Sequence, residues 1–386
     1  MSNQVDSSFL LELKEYGAVG AEICFNCGTC TAQCPLATDG HNFPRNMIRL
    51  TQLGLTDQIR GNVDPWLCYY CGDCSGSCPR EAEPAETMMA LRRWLTAQYS
   101  GTDHSSELYT SEKAVWKTII RAALIPLVLI VLYQIVTGFD NIVLDRVELN
   151  TFAPVLLVWA FVLLHGVYLG YRMIRGCLNM TNAILGSTKK DGVIPLRVYR
   201  EEFRLLIINL VTQKRWRDCG EDHGKWSMHL LLVIGYSTML VLIMGFLWWF
   251  QTDNIYPITH PQRWIGYVAT ILLIVAATSF LIGRWRKKDQ IHRFSQPSDW
   301  LFPIFILVAA VTGILVNIFR YAGWPLPTYG IYTFHVMAAI AMLDVEVGVG
   351  KWAHLFYRPL AIYLEGVKVR MKQEQARQGM APVSAD

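Results

Sequence analysis

Residues 24–35 read CFNCGTCTAQCP and residues 68–79 read CYYCGDCSGSCP. Each run has cysteines at gaps of two, two and three, closed by a proline. This is the ligand spacing of a [4Fe–4S] cluster, in which three nearby thiolates wrap one side of the cube and a distant fourth closes it. Where two such runs share a chain, the fourth cysteine of each serves the other cluster. The expected sets are therefore Cys24, Cys27, Cys30 and Cys78 for cluster one, and Cys68, Cys71, Cys74 and Cys34 for cluster two. Gly28 and Gly72 permit tight turns with amides facing sulfur, and Pro35 and Pro79 end each loop without a free N–H. A zinc ribbon uses two C-x-x-C pairs and leaves no role for the third cysteine of each run.

Eight of the ten cysteines lie in these runs, and the other two, Cys177 and Cys219, read as plain reduced thiols. The first twenty residues lack a basic start and a continuous apolar stretch, so the N-terminus is expected in the cytosol. In that reducing compartment a cysteine cluster reads as metal-binding, not disulfide-bonded. Between the runs, FPRNMIRLTQLGLTDQIR places Pro44 at a helix start with Met47, Ile48, Leu50 and Leu53 on one stripe. PAETMMALRRWLTAQ after the second run has similar spacing. Residues 1–105 are thus expected to form a mostly helical two-cluster domain.

The rest of the chain is different in kind. Hydrophobic residues make up 52% of the sequence and charged ones only 17%, against about 25% charged in an ordinary soluble domain. Six apolar stretches, at about 116–138, 152–171, 229–250, 264–283, 300–319 and 329–350, approach the roughly 20 residues needed to cross hydrocarbon. The loop 171–228 carries eleven Lys or Arg and 284–299 carries five, while the three opposite loops hold one arginine each. The positive-inside rule then puts both termini in the cytosol and the chain, multi-pass, in the cytoplasmic membrane. The net charge of +4 resides at these boundaries and calls for no nucleic-acid partner. The segment PLRVYREEFRLLIINLVTQKRW, 195–216, is amphipathic, and two readings stand: it lies on the membrane surface, or it docks the cysteine domain. Residues 361–386 read as a basic cytosolic tail.

Histidines inside such helices are functional candidates. His165 sits in the second stretch, His229 opens the third, and His335 and His354 lie in and just beyond the sixth; facing helices of a bundle are where haem ligands are built. No C-x-x-C-H occurs, so the haem would be b-type. His335 and His354 are 19 residues apart, about 28 Å along a helix, and so belong to two different haems. His229 matches His354 in depth, which pairs them at the inner site. For the outer site His335 pairs with His165. Asp344 and Glu346 interrupt the sixth stretch. Either they carry protons for quinone chemistry or the helix has already reached headgroups there.

Residues 10–97 resemble the C subunits of heterodisulfide reductases, through the leading helix, the two cysteine runs, PRNMIRLTQLGL and LRRWL. KWSMHLLLVIGYSTML (225–240) with His335 and KWAHLFYRP (351–359) resemble two cytochrome b proteins, the gamma subunits of respiratory nitrate reductase and the E subunits of membrane-bound heterodisulfide reductase. In the nitrate reductase family a second histidine follows the first by ten residues, where this chain has Met239, and that departure leaves three options for the outer site: His165 as substitute, Met239 as an alternative ligand, or an altered site. The fusion as a whole resembles the membrane subunits of the quinone-interacting membrane-bound oxidoreductase (Qmo) complexes of sulfate reducers. That resemblance implies a mainly α fold, a helical dicluster ferredoxin domain followed by a six-helix transmembrane haem b bundle over 106–360. It also implies electron flow from menaquinol through two b haems and two [4Fe–4S] clusters. The partners it implies are flavin-containing heterodisulfide reductase A-like subunits (Qmo A and B), with adenylylsulfate reductase downstream. No G-x-G-x-x-G follows a strand and no paired-cysteine CCG motif is present, so chemistry on a soluble substrate is expected in another subunit. Two alternatives remain: the membrane module of a heterodisulfide reductase or sulfite-reduction complex, and a non-redox membrane scaffold with structural metal.

Overall fold

The computed structural model describes residues 5–38, 41–190, 193–217, 223–287 and 289–377. Among these the regular elements are all helices, with one isolated bridge between Thr38 and His41. The mainly α expectation holds.

Short helices build the N-terminal part around one long one, Pro84–Ser100. Phe9 and Leu13, Met47 and Ile48, and Met88, Leu91 and Leu95 meet in its core and are fully buried. The last three recur every three or four residues, as a core-facing helix stripe requires. Pro44 stands just ahead of helix Arg45–Gln52, as its fixed φ favours. Leu53 leaves the expected stripe: the helix ends at Gln52, and Leu53 is 40% exposed beyond it.

Among the described residues six helices are long and apolar enough to cross a bilayer: Glu112–Val136, Val155–Gly186, His223–Phe250, Pro261–Trp285, Pro297–Tyr321 and Pro325–Glu346, here spans one to six. Ile120, Leu124, Val128 and Leu132 of span one and Leu164, Val167 and Ile174 of span two are exposed, as suits side chains whose solvent is lipid. Span six stops at Glu346, short of the expected 350, because Val347 is extended and Gly348 has φ +79°.

Two helices tie the halves together, and hydropathy revealed neither fully. The helix of span two runs Val155–Lys190, about 54 Å at 1.5 Å per residue, well past the expected end at 171. Its extension buries Met180, Ile184 and Leu185 in the same core as Met88 and Leu91. The closing helix Ala353–Arg377 crosses the boundary expected at residue 360 and adds Tyr357, Leu364, Val367 and Met371 to that core. Residues 361–377 are thus a packed helix, whereas 378–386 and Cys219 lie outside the described residues. Gly176 of the long helix has no side chain because Tyr357 occupies that space. Tyr357 meets Trp66 and Tyr99 edge-on at 5.2 and 5.7 Å, locking cysteine domain, long helix and closing helix at one point. Helix Leu196–Thr212 packs along the closing helix and buries Val198. Its Leu196, Phe203, Ile207 and Val211 remain exposed.

Candidate functional site

The two cysteine runs adopt one backbone design. In each, the residue before the second cysteine is left-handed, Asn26 with φ 56° and Tyr70 with φ 59°. Its N–H points back to the first sulfur: Asn26 N to Cys24 Sγ and Tyr70 N to Cys68 Sγ, both 3.4 Å. Gly28 at φ 90° and Gly72 at φ 94° then open the helices that carry Cys30 and Cys74. Those helices, Thr29–Gln33 and Asp73–Gly76, pack on each other, which brings the fourth cysteine of one run beside the other. Asn accepts the left-handed region readily, while a Tyr there is strained. Tyr70 is held by hydrogen bonds from its hydroxyl to the Glu86 carboxylate and to the Ile291 carbonyl.

Cys34, Cys68, Cys71 and Cys74 line one cavity, with Phe43, Tyr69 and Met88. This is the set expected for cluster two. Cys24, Cys27 and Cys30 lie close enough together to interact electrostatically, and Cys78 Sγ accepts the Ala82 N–H at 3.4 Å. None of the nine described cysteines is in a disulfide. Among the described residues no three His, Cys, Asp or Glu side chains converge on a single metal ion. A cubane asks for a wider set, because each thiolate binds its own iron. Desolvation by the surrounding protein pushes the thiol of Cys71, although that residue is exposed, up to about 12, and that of Cys74 further in the same direction. Thiolates at this site therefore need a bound cationic group to be stable. The exposed Cys27 thiol is instead lowered, chiefly by the Thr29 hydroxyl.

A second cavity lies at the junction of the halves, lined by His229, His354, Arg358, Gln213, Trp216 and Tyr69 among others. The rings of His229 and His354 have centroids 5.9 Å apart. Two imidazoles sharing one metal ion at the usual N–metal length of about 2.0–2.1 Å would have centroids about 6 Å apart. Nδ1 of His229 bonds Gln213 Oε1 at 2.9 Å, and Nδ1 of His354 faces the Lys351 carbonyl. Such contacts orient ligand histidines and leave Nε2 to bind. The pair and its surroundings fit a bis-histidine centre.

The other candidates are placed differently. His165 Nε2 lies 3.8 Å from Asp344, which also meets Arg172 at 3.6 Å. His335 Nδ1 bonds Thr312 Oγ1 at 2.9 Å, with its ring against Gly313. His165 and His335 thus turn to different partners. Met239 packs in an apolar cluster with Leu232, Ala276, Ile306 and Trp352. Glu346 is 2% exposed and accepts the Lys351 N–H at 2.9 Å, closing the turn after span six.

A buried polar network went unforeseen. Asp299, 5% exposed, receives Arg93 of the cysteine domain at 3.4 Å, Arg284 at 3.9 Å, and Lys351. Beside it, burial raises the Glu86 carboxyl from 4.5 to about 7, although Tyr70 and Arg93 pull it down. A carboxyl raised on folding stabilises the native state fully below its unfolded value and loses that contribution as pH rises through the folded one. Unfolding free energy should therefore fall by about 3 kcal/mol between pH 4.5 and 7 from this group alone. Urea titrations of wild type and Glu86→Gln across that window should show the slope flattened in the variant.

The family model described as a 4Fe-4S dicluster domain matches residues 23–83. Over 89 residues the chain is 37% identical to a protein of Archaeoglobus profundus described as similar to the C subunits of heterodisulfide reductase, covering 23% of this chain and 47% of that protein. Over 62 residues it is 36% identical to the C subunit of the H(2):CoB-CoM heterodisulfide,ferredoxin reductase of Methanothermobacter marburgensis, covering 16% of this chain and 34% of that protein. The chain spans less than half the length of these curated relatives. No solved structure matches. The N-terminal part is an iron–sulfur electron-transfer domain similar to heterodisulfide reductase C subunits, joined to six helices fit to cross a membrane.

Proposed function

We propose that the chain is the membrane electron-transfer subunit of a quinone-interacting oxidoreductase. In this reading it takes electrons from menaquinol in the bilayer through two b haems and two [4Fe–4S] clusters. It passes them to flavin-containing, heterodisulfide reductase A-like partners in the cytosol, and so to adenylylsulfate reductase. The supporting observation is that Tyr69 lines both the cavity of His229 and His354 and the cavity of Cys34, Cys68, Cys71 and Cys74. Haem b bound there would supply single-electron chemistry, which a two-electron quinol needs if its electrons are to reach one-electron clusters. His229 and His354 would hold the inner haem. His335 stays the outer candidate, its Nδ1 engaged by Thr312. Asp344, facing His165 and Arg172, is the proton acceptor this reading favours, and Glu346 serves the turn.

The similarity to heterodisulfide reductase C subunits supports a second reading, the same wire with a heterodisulfide or sulfite-reducing partner. The deciding experiment is an optical spectrum of the purified chain before and after a menaquinol analogue. Reduced b-type bands support the proposal, and a chain without haem bands under dithionite overturns it in favour of a scaffold. His354→Ala should remove the inner haem's share of the absorbance, while Met239→Leu should leave the spectrum unchanged.

A further inference from the structure

Arg358 sits one turn after His354 on the closing helix, and helix residues four apart share a face. Its NH2 donates to the Cys68 carbonyl at 2.9 Å and its Nε to the Trp66 carbonyl at 3.2 Å. Its guanidinium carbon lies 4.9 Å from the centre of the Tyr69 ring. A second connection runs from His229 to Trp216, 4.8 Å apart and edge-on, and from Trp216 to Tyr69, stacked at 6.4 Å. The first chain of contact ends at Cys68, the first cysteine of the second run, and the second at Tyr69, the residue after it. Arg92, from the long helix of the cysteine domain, donates to the same Cys68 carbonyl, so two guanidiniums converge on one ligand residue. The second cysteine of each run, Cys27 and Cys71, is exposed, but Phe25, which follows Cys24, is 71% exposed beneath Arg80, whereas Tyr69, which follows Cys68, is 9% exposed.

From this we infer that the two clusters are not equivalent. The one held by Cys34, Cys68, Cys71 and Cys74 exchanges electrons with the histidine centre, and Arg358 is the positioning residue that couples them. The inference deepens the proposed function and rests on the haem reading of His229 and His354. One electron moves between the two centres, from the reduced group at the histidines to the oxidised cluster; no bond forms or breaks and this step carries no proton. Arg358 acts in two ways. Its positive charge favours the extra electron on cluster two, and its fork fixes the closing helix, hence His354, against the Cys68 loop. Cluster one, whose loop exposes Phe25, is left to face the soluble partner.

The test uses the full chain with its cofactors. Wild-type EPR comes first: oxidised haem is paramagnetic and speeds the spin relaxation of the nearer cluster. The signal so affected should be the one that Cys71→Ser removes; if it is the one that Cys27→Ser removes, the inference is overturned. Redox titration of Arg358→Gln should then move the midpoint of the Cys71-dependent signal to lower potential and leave the other in place. Arg358→Lys should restore most of the potential and still slow electron exchange between haem and cluster, because it keeps the charge and loses the fork. No shift in Arg358→Gln, or a shift confined to the Cys27-dependent signal, overturns the role of Arg358. Failure of the underlying reading looks different: wild type then shows no haem bands at all.

Discussion

Replacing Cys34 with serine is expected to abolish the same EPR signal as replacing Cys71, although Cys34 belongs to the other run. The reason is spatial. Cys34 ends the helix Thr29–Gln33, that helix packs on Asp73–Gly76, and the pairing delivers Cys34 into the cavity of Cys68, Cys71 and Cys74. Iron content should fall from about eight to about four atoms per chain, since each four-thiolate site holds one cube. Cys78→Ser should remove the complementary half, together with the signal lost in Cys27→Ser. The surviving signal in each variant is an internal control for folding. If Cys34→Ser and Cys27→Ser abolish the same signal, ligation is uncrossed and the cavity has been misread. The site of Cys34, Cys68, Cys71 and Cys74 should also be the more intolerant of the two. Desolvation raises the Cys71 and Cys74 thiols, so without its cube the cavity holds neutral thiols instead of thiolates.

The contrast between what could be read along the chain and what could not follows from range. Cysteine spacing is a local code, because each run shapes its own loop through a left-handed residue and a glycine only a few positions apart. The six spans were equally legible, because twenty apolar residues in a row have few other uses. Their ends were not. Arg172 looked like the start of a loop, yet it lies inside a helix that continues to Lys190 and pairs with Asp344 of span six. The same pairing explains the fate of His165, whose neighbour is that carboxylate; its depth along one helix could not show what the facing helix brings to it. The closing helix gave no hydropathy signal because it buries its apolar side on protein, against Leu196–Thr212 and the cysteine domain. Arg358 is far in sequence from the Trp66 and Cys68 carbonyls it binds, and Trp216 from the Tyr69 ring it stacks on. The only available hint was KWAHLFYRP itself, where a histidine and an arginine four apart must share a helix face.

Asp299→Asn is expected to cost about 3–5 kcal/mol, the range for removing one partner from a buried ion pair. The carboxylate is 5% exposed and faces three cations, Arg93, Arg284 and Lys351, each from a different part of the chain. The asparagine keeps the shape and loses the charge, which leaves those cations among the buried carboxyls of Glu86 and Glu346, the first held by the Tyr70 hydroxyl and the second by the Lys351 N–H. Because Arg93 lies on Pro84–Ser100 and Asp299 at the start of span five, the loss should appear first as separation of the cysteine domain from the membrane helices. Hydrogen exchange would show it as faster exchange in Pro84–Ser100 with spans four and five unchanged, and urea unfolding as a lower midpoint. A double-mutant cycle with Arg93→Leu separates charge from packing. Removing Arg93 in the Asp299→Asn background relieves one stranded cation and should recover about 1–2 kcal/mol, since coupled neighbours depart from additivity by that order. Strict additivity would mean that Arg93 and Asp299 are held by the surrounding fold and contribute nothing to each other. The coupling matters for electron transfer as well as stability. Arg93 shares its helix with Arg92, and Lys351 stands three residues before His354, so the network that clamps the domain also sets how close the Cys68 loop lies to the histidine cavity.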